Sequence, residues 1–224
     1  MTKVYETIGA DTRLQAILSN GAFIPVDMSL DASTPIVGVE VELENTVPIS
    51  FEKGYWNTTR DGSLRNNGYE YVSLPFSVDC IDKVMKELKD NLPSSAEANG
   101  RCGLHVHVNV LDLTITQLQA FLKNVYDLEN NLFHASGDRI NNYHCAPWHG
   151  SSSEVMLLKF IKDKITLKTL LKHCKKYSGI NILPIAQHGT VEFRMHKGTK
   201  DTVEISEWVK HLANIRSEAI KGVA

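Results

Sequence analysis

Residues 39–44 read VEVELE, and the period-two alternation of that stretch sets the fold. In an extended chain Val39, Val41 and Leu43 go to one face and Glu40, Glu42 and Glu44 to the other. The valine face needs only a core. The glutamate face needs a reason. Next-nearest residues on a strand are roughly 7 Å apart, and at an effective dielectric of about 20 two such charges repel by roughly 2 kcal/mol. Water removes most of that cost, and a bound cation reverses it.

Two later stretches repeat the pattern. In LHVHVN, residues 104–109, Leu104, Val106 and Val108 alternate with His105, His107 and Asn109. In TVEFRMH, residues 190–196, Val191, Phe193 and Met195 alternate with Thr190, Glu192, Arg194 and His196. Taken one at a time, each is explained by an antiparallel strand with a wet outer face. Taken together, the polar faces carry mainly Glu, His and Arg, where generic solvated faces also use Lys, Thr, Ser and Gln. Carboxylates and imidazoles are metal ligands, and an adjacent arginine suits phosphate. An oxygen-rich set with an occasional imidazole favours magnesium or manganese. His105 and His107 alone would suit zinc or iron in a metallohydrolase or oxygenase, and that reading stays open beside the first. Glu70, in NGYEYVSLP, follows a turn, but its strand alternates poorly and its face is not fixed.

Working outward, strands are predicted at 36–44, 69–74, 103–110, 180–184 and 189–196. Helices are predicted at 78–92, at 114–132 behind a Thr114/Gln117 capping box, once or twice within 153–176, and at 202–220. WNTTRDGSLRNNG, from residue 56, reads as a loop with Asp-Gly and Asn-Gly turns, and residues 136–152 as a long loop crowded with reactive side chains. This order predicts an α+β fold with helices covering one face of a largely antiparallel sheet. Residues 1–34 show little periodicity and end in DASTP, so they read as a lead-in to a catalytic domain over 35–224.

With 224 residues, 42% of them hydrophobic, the chain can bury the core of one globular domain. A formal net charge of −2 provides no overall basic field for a nucleic-acid duplex or an anionic membrane. The start lacks a basic-then-apolar leader and no stretch is long enough to span a bilayer, so a cytoplasmic protein is expected. Cys80, Cys102, Cys145 and Cys174 have no paired spacing and read as reduced structural thiols. The chain has no Gly-x-x-x-x-Gly-Lys-Ser run, which disfavours an ordinary P-loop nucleotidase.

The series GVEVELE, DGSLRNNGYEYVSLP, CGLHVHVNV, DRINNYHC, KYSGINILP and TVEFRMHKGT resembles the amidoligase family, carboxylate-amine ligases related to glutamine synthetase and glutamate-cysteine ligase. The likeness runs over roughly residues 36–210. It implies a glutamine-synthetase-like curved antiparallel sheet holding ATP and Mg2+ or Mn2+, with helices packed on its outer face. It also implies amide-bond formation through an acyl phosphate, from a small-molecule or peptide carboxylate and an amine or ammonia, which a glutaminase-type partner would supply. Carried over by position, it makes Glu40, Glu42, Glu70, His105 and Glu192 metal ligands. Arg194, Glu42 and Glu192 become catalytic groups and Arg194 a nucleotide contact; separately, Arg139 in GDR and Lys197 in HKGTK read as nucleotide or substrate contacts from their loops. Glu44, Asp61, Ser63, Trp56, His107, Tyr143, Lys159, Asn181 and His196 lie in matching segments without an assigned role. Glu44 also suits a solvated place beyond the cleft. A catalytically silent binding module of the same fold is the remaining alternative.

Overall fold

The structure, a computed structural model, describes residues 2–8, 35–137 and 139–223. Residues 9–34, most of the predicted lead-in, lie outside the described residues. Of its start, α1 (Val4–Ile8) is docked, with Val4 fully buried and its N–H donating to the carbonyl of Leu113.

β1 (Ile36–Leu43), β2 (Trp56–Thr59), β3 (Tyr69–Ser73), β4 (Phe76–Ser77), β5 (Gly103–Asn109), β6 (Ile180–Asn181) and β7 (Thr190–Lys197) form one sheet in the order β2-β3-β1-β5-β7-β6, with β4 also on β1. Every pairing between these strands is antiparallel. The helices that follow α1 are α2 (Ile81–Asn91), α3 (Ile115–Ala135), α4 (Ser152–Ile161), α5 (Leu167–His173), α6 (Pro184–His188) and α7 (Thr202–Lys221).

The alternating strands bury the expected face. Val37, Val39, Val41, Leu43, Leu104, Val106, Val108, Val191, Phe193 and Met195 all lie in the core, each burial contributing roughly 1.5–3 kcal/mol. α3 lies on that face, with Phe121 6.4 Å from Phe193 between ring centroids. α7 is fastened there by the fully buried Arg216, whose Nε donates to the carbonyl of Asn109 at 2.8 Å and whose Nη2 pairs with Asp112. The capping box forms as predicted. Gln117 N–H donates to Thr114 Oγ1, and Thr114 N–H to Gln117 Oε1.

The structure departs from the sequence reading in four places. The segment read as a strand at 180–184 pairs only over β6, because Pro184 fits the first turn of a helix and opens α6. β2, read as loop, is an edge strand anchored by Trp56, whose Nε1 donates to the carbonyl of Val84. β3 alternates poorly because its polarity is inverted. Ser73 faces the core, accepting the Val39 N–H on its Oγ, while Val72 shares the opposite face with Glu70.

The fourth is a bulge in β7. Phe193 stands opposite Val106 but His196, not residue 195, stands opposite Leu104, so β7 carries one extra residue there. The slip turns His196 to the helix side, where its ring lies 5.1 Å from that of Trp208, and burial pulls its pKa down. Among the described residues no helix is long and apolar enough to cross a membrane.

Candidate active site

The register assembles the polar face strand by strand. Glu40 stands opposite His105, Glu42 opposite Glu70, His107 opposite Glu192, and Glu192 opposite Asn181. Residues paired across antiparallel strands share a face, so side chains distant in sequence meet above the sheet. All of these but Glu42 line a cleft of about 500 Å³ with Asp61, Lys176, Leu183, Pro184, Gln187, His188 and Arg194.

Glu40 sits between two imidazoles, His105 Nδ1 3.1 Å from its Oε2 and His107 Nε2 3.2 Å from its Oε1. Burial opposes its charge, but these partners hold its carboxyl well below the usual range. In return, Glu40 and then Glu192 raise the pKa of His107 against the effect of burial. Glu192 accepts from Asn181 Nδ2 at 2.7 Å and pairs with Arg194 Nη1, which places the guanidinium at the edge of the carboxylate set. Arg194 Nε also reaches the carbonyl of His144 at 3.4 Å.

Glu42 is buried and accepts the Gly103 N–H at 2.6 Å. A side chain at Gly103 would displace the groups around it. A Cβ would lie 2.7 Å from Arg139 Nη1, 2.8 Å from His105 Nε2 and 3.3 Å from Glu42 Oε2. The same gap admits Arg139, whose Nη1 donates to the carbonyl of His196 at 2.9 Å.

Glu70 is crowded by neighbouring carboxylates. Burial, then the charges of Glu40 and Glu42, push its carboxyl up to about 7, with His105 and a hydrogen bond from Thr59 opposing them. The folded protein therefore holds a proton that the unfolded chain releases between about 4.5 and about 7, and this group's contribution to stability falls as pH rises through that window. Without metal, melting temperatures of the parent should fall more between pH 5 and pH 8 than those of Glu70→Gln. Mg2+ should restore the parent more at pH 8 than at pH 5. Parallel profiles for the two proteins would remove Glu70 from the crowded set.

Among the described residues, three overlapping groups have ligand atoms within 4.8 Å of one another: Glu40, Glu70 and His105; Glu40, His107 and Glu192; Glu42, Asp61 and Glu70. Carboxylate oxygens dominate each group, which fits a hard divalent cation such as Mg2+ or Mn2+. His105 and His107 flank Glu40 and fall in different groups, which does not favour a histidine-rich zinc or iron centre.

Not every residue read from sequence comes to the cleft. Lys197 is half exposed, with its Nζ 3.3 Å from Glu204 Oε1 on α7, Trp56 is in the core, and Lys159 is exposed on α4. Glu44 is neither solvated nor part of the carboxylate groups. It is fully buried and accepts from Arg101 Nε and Nη2, Arg65 N–H, Asn66 Nδ2 and Asn99 Nδ2, which ties two loops to the end of β1. Arg101 first, with the Arg65 N–H and Asn99, holds its carboxyl at about 2 against burial. Asp61 reaches the Glu42–Glu70 group from a turn in which its Oδ1 accepts the Ser63 N–H. Lys176, Gln187 and His188 escaped the sequence reading.

Compared with known families, residues 50–215 match the one described as "Putative amidoligase enzyme". The chain belongs to the amidoligase family. A search of curated proteins finds no match. The family is named for enzymes that form amide bonds, which are ligases. The amidoligase match contains Asp61, Glu70, His105, His107, Glu192 and Arg194 but begins after β1, so Glu40 and Glu42 join the site through their register with β3 and β5.

Proposed function

We propose that this amidoligase joins a carboxylate to an amine at the expense of ATP, through an acyl phosphate, on a sheet of glutamine-synthetase type. The observation that carries the reading is the convergence of six carboxylate and imidazole side chains from four strands, Glu40, Glu42, Glu70, His105, His107 and Glu192, with Arg194 at their edge. Such a set suits phosphoryl transfer, which depends on positioning and neutralisation of charge more than on covalent help from the protein.

In this reading the substrate carboxylate attacks the γ-phosphorus and ADP leaves; the amine then attacks the acyl carbon and phosphate leaves. Glu40, Glu42, Glu70, Asp61, His105 and Glu192 would hold Mg2+ or Mn2+, which when bound supplies positive charge against the phosphate oxygens. Arg194 donates its planar fork to the transferring phosphoryl group. Glu192 and the carbonyl of His144 aim that fork. Asn181, donating to Glu192, fixes the carboxylate in turn. His105 and His107 orient Glu40 from its two sides.

Hydroxylamine tests the acyl phosphate without knowledge of the natural amine. Across a panel of amino acids, dicarboxylates and short peptides, at least one carboxylate should give a hydroxamate and an equal amount of ADP, dependent on ATP and a divalent cation. Amide or ester hydrolysis that needs metal but no ATP, with no hydroxamate from any carboxylate, would favour the metallohydrolase instead.

A further inference from the structure

Beside Arg194 the surface carries a group of exposed rings. Tyr143, 76% exposed, and Tyr177, 41% exposed, have ring centroids 5.7 Å apart. His144 stands edge-on to both, at 5.4 Å from Tyr143 and 5.1 Å from Tyr177. Lys176 Nζ lies 5.9 Å over the Tyr177 ring, and Lys176 itself lines the cleft. Large aromatic side chains left in water forgo the burial that usually places them.

The rings do not sit on a loose loop. The Ala146 N–H donates to the carbonyl of Tyr177 at 3.0 Å, Gly179 N–H to Ala146 at 2.8 Å, and Arg194 N–H to Gly179 at 2.7 Å. Two ring-bearing segments are thereby laced to each other and to β7. A Cβ at Gly179 would meet Phe133 at 2.5 Å, so this close packing depends on glycine. The chain end of the lace is Arg194, whose Nε reaches the carbonyl of His144. The platform therefore begins next to the guanidinium that meets phosphate.

We infer that Tyr143 and Tyr177 form the stacking platform for the purine base of the nucleoside triphosphate, with Lys176 beside the phosphates. The inference rests on the ATP-dependent reading above. A planar base has a π-face for Tyr143 to cover, and Lys176, over the Tyr177 ring, lines the same cleft as Arg194. Stacking of a base on an aromatic side chain contributes about 1–3 kcal/mol by alanine substitution, or roughly 5- to 150-fold in affinity.

Calorimetry with Mg2+-ATP and with Mg2+-tripolyphosphate separates base from phosphates. Tyr143→Ala and Tyr177→Ala should each weaken ATP by roughly 5-fold or more and leave tripolyphosphate unchanged, and Tyr143→Phe should keep the parent's ATP affinity. Because Tyr143 is mostly exposed, its replacement should leave the melting temperature in place. Two results would overturn the platform while sparing the ligase reading: ATP binding by both alanine variants as tight as the parent's, or tripolyphosphate binding to the parent as tight as ATP. A parent that binds tripolyphosphate and ATP not at all would overturn both.

Discussion

Arg194→Lys should melt with the parent and lose about two to three orders of magnitude in ATP-dependent turnover, the size of loss seen when one preorganised donor to a developing oxyanion is removed. Folding should survive because lysine keeps the charge opposite Glu192, and that pair is already mostly out of water, with side-chain exposures of 14% and 6%. Chemistry should not survive. An ammonium is a point charge on a flexible stem and cannot give two parallel N–H groups to a phosphoryl group while facing Glu192. Thermal melting and ATP turnover on the same sample check this. A well-folded Arg194→Lys protein with full turnover would make the arginine a structural partner of Glu192 and nothing more.

Glu40→Gln should weaken Mg2+ binding by at least about tenfold to a hundredfold, with turnover falling in step. Glu40, like Glu70, belongs to two of the three candidate groups, and it is the one that both imidazoles face. Its removal also has an electrostatic signature that does not depend on activity. After burial, the charge of Glu40 is what raises Glu70 most, so the Glu70 carboxyl should fall from about 7 toward the ordinary carboxylate range. His107 should lose its main proton-stabilising partner and titrate lower. Carbon-detected NMR titration of the metal-free protein reads both changes. Unchanged titrations of Glu70 and His107, with unchanged Mg2+ affinity, would show that Glu40 takes no part in a metal site.

The sequence reading reached the strands whose alternation is strict and whose two faces differ in chemistry, since period two needs no knowledge of neighbours. It therefore found β1, β5 and β7, whose register, visible only in the structure, sets Glu40 opposite His105 and His107 opposite Glu192. It stopped where the outcome depends on another part of the chain. Ser73 faces the core because Val39 donates to it, and this inversion hid the face of Glu70. His196 left the polar face through a bulge defined only by pairing to β5. Glu44 looks identical to Glu40 in sequence, yet Arg101 and the loops carrying Arg65 and Asn99 close over it. Lys176, Gln187 and His188 lie on short segments with no period to read, and only tertiary packing brings them to the cleft.

The most direct test is titration of ATP into the protein by calorimetry, with Mg2+ and with a chelator in its place, on the parent and on Glu40→Gln. ATP should bind the parent when Mg2+ is present, binding should collapse with the chelator, and Glu40→Gln should bind weakly in both conditions. Equal ATP binding by both proteins with and without Mg2+ would contradict a nucleotide site bridged by metal to these carboxylates.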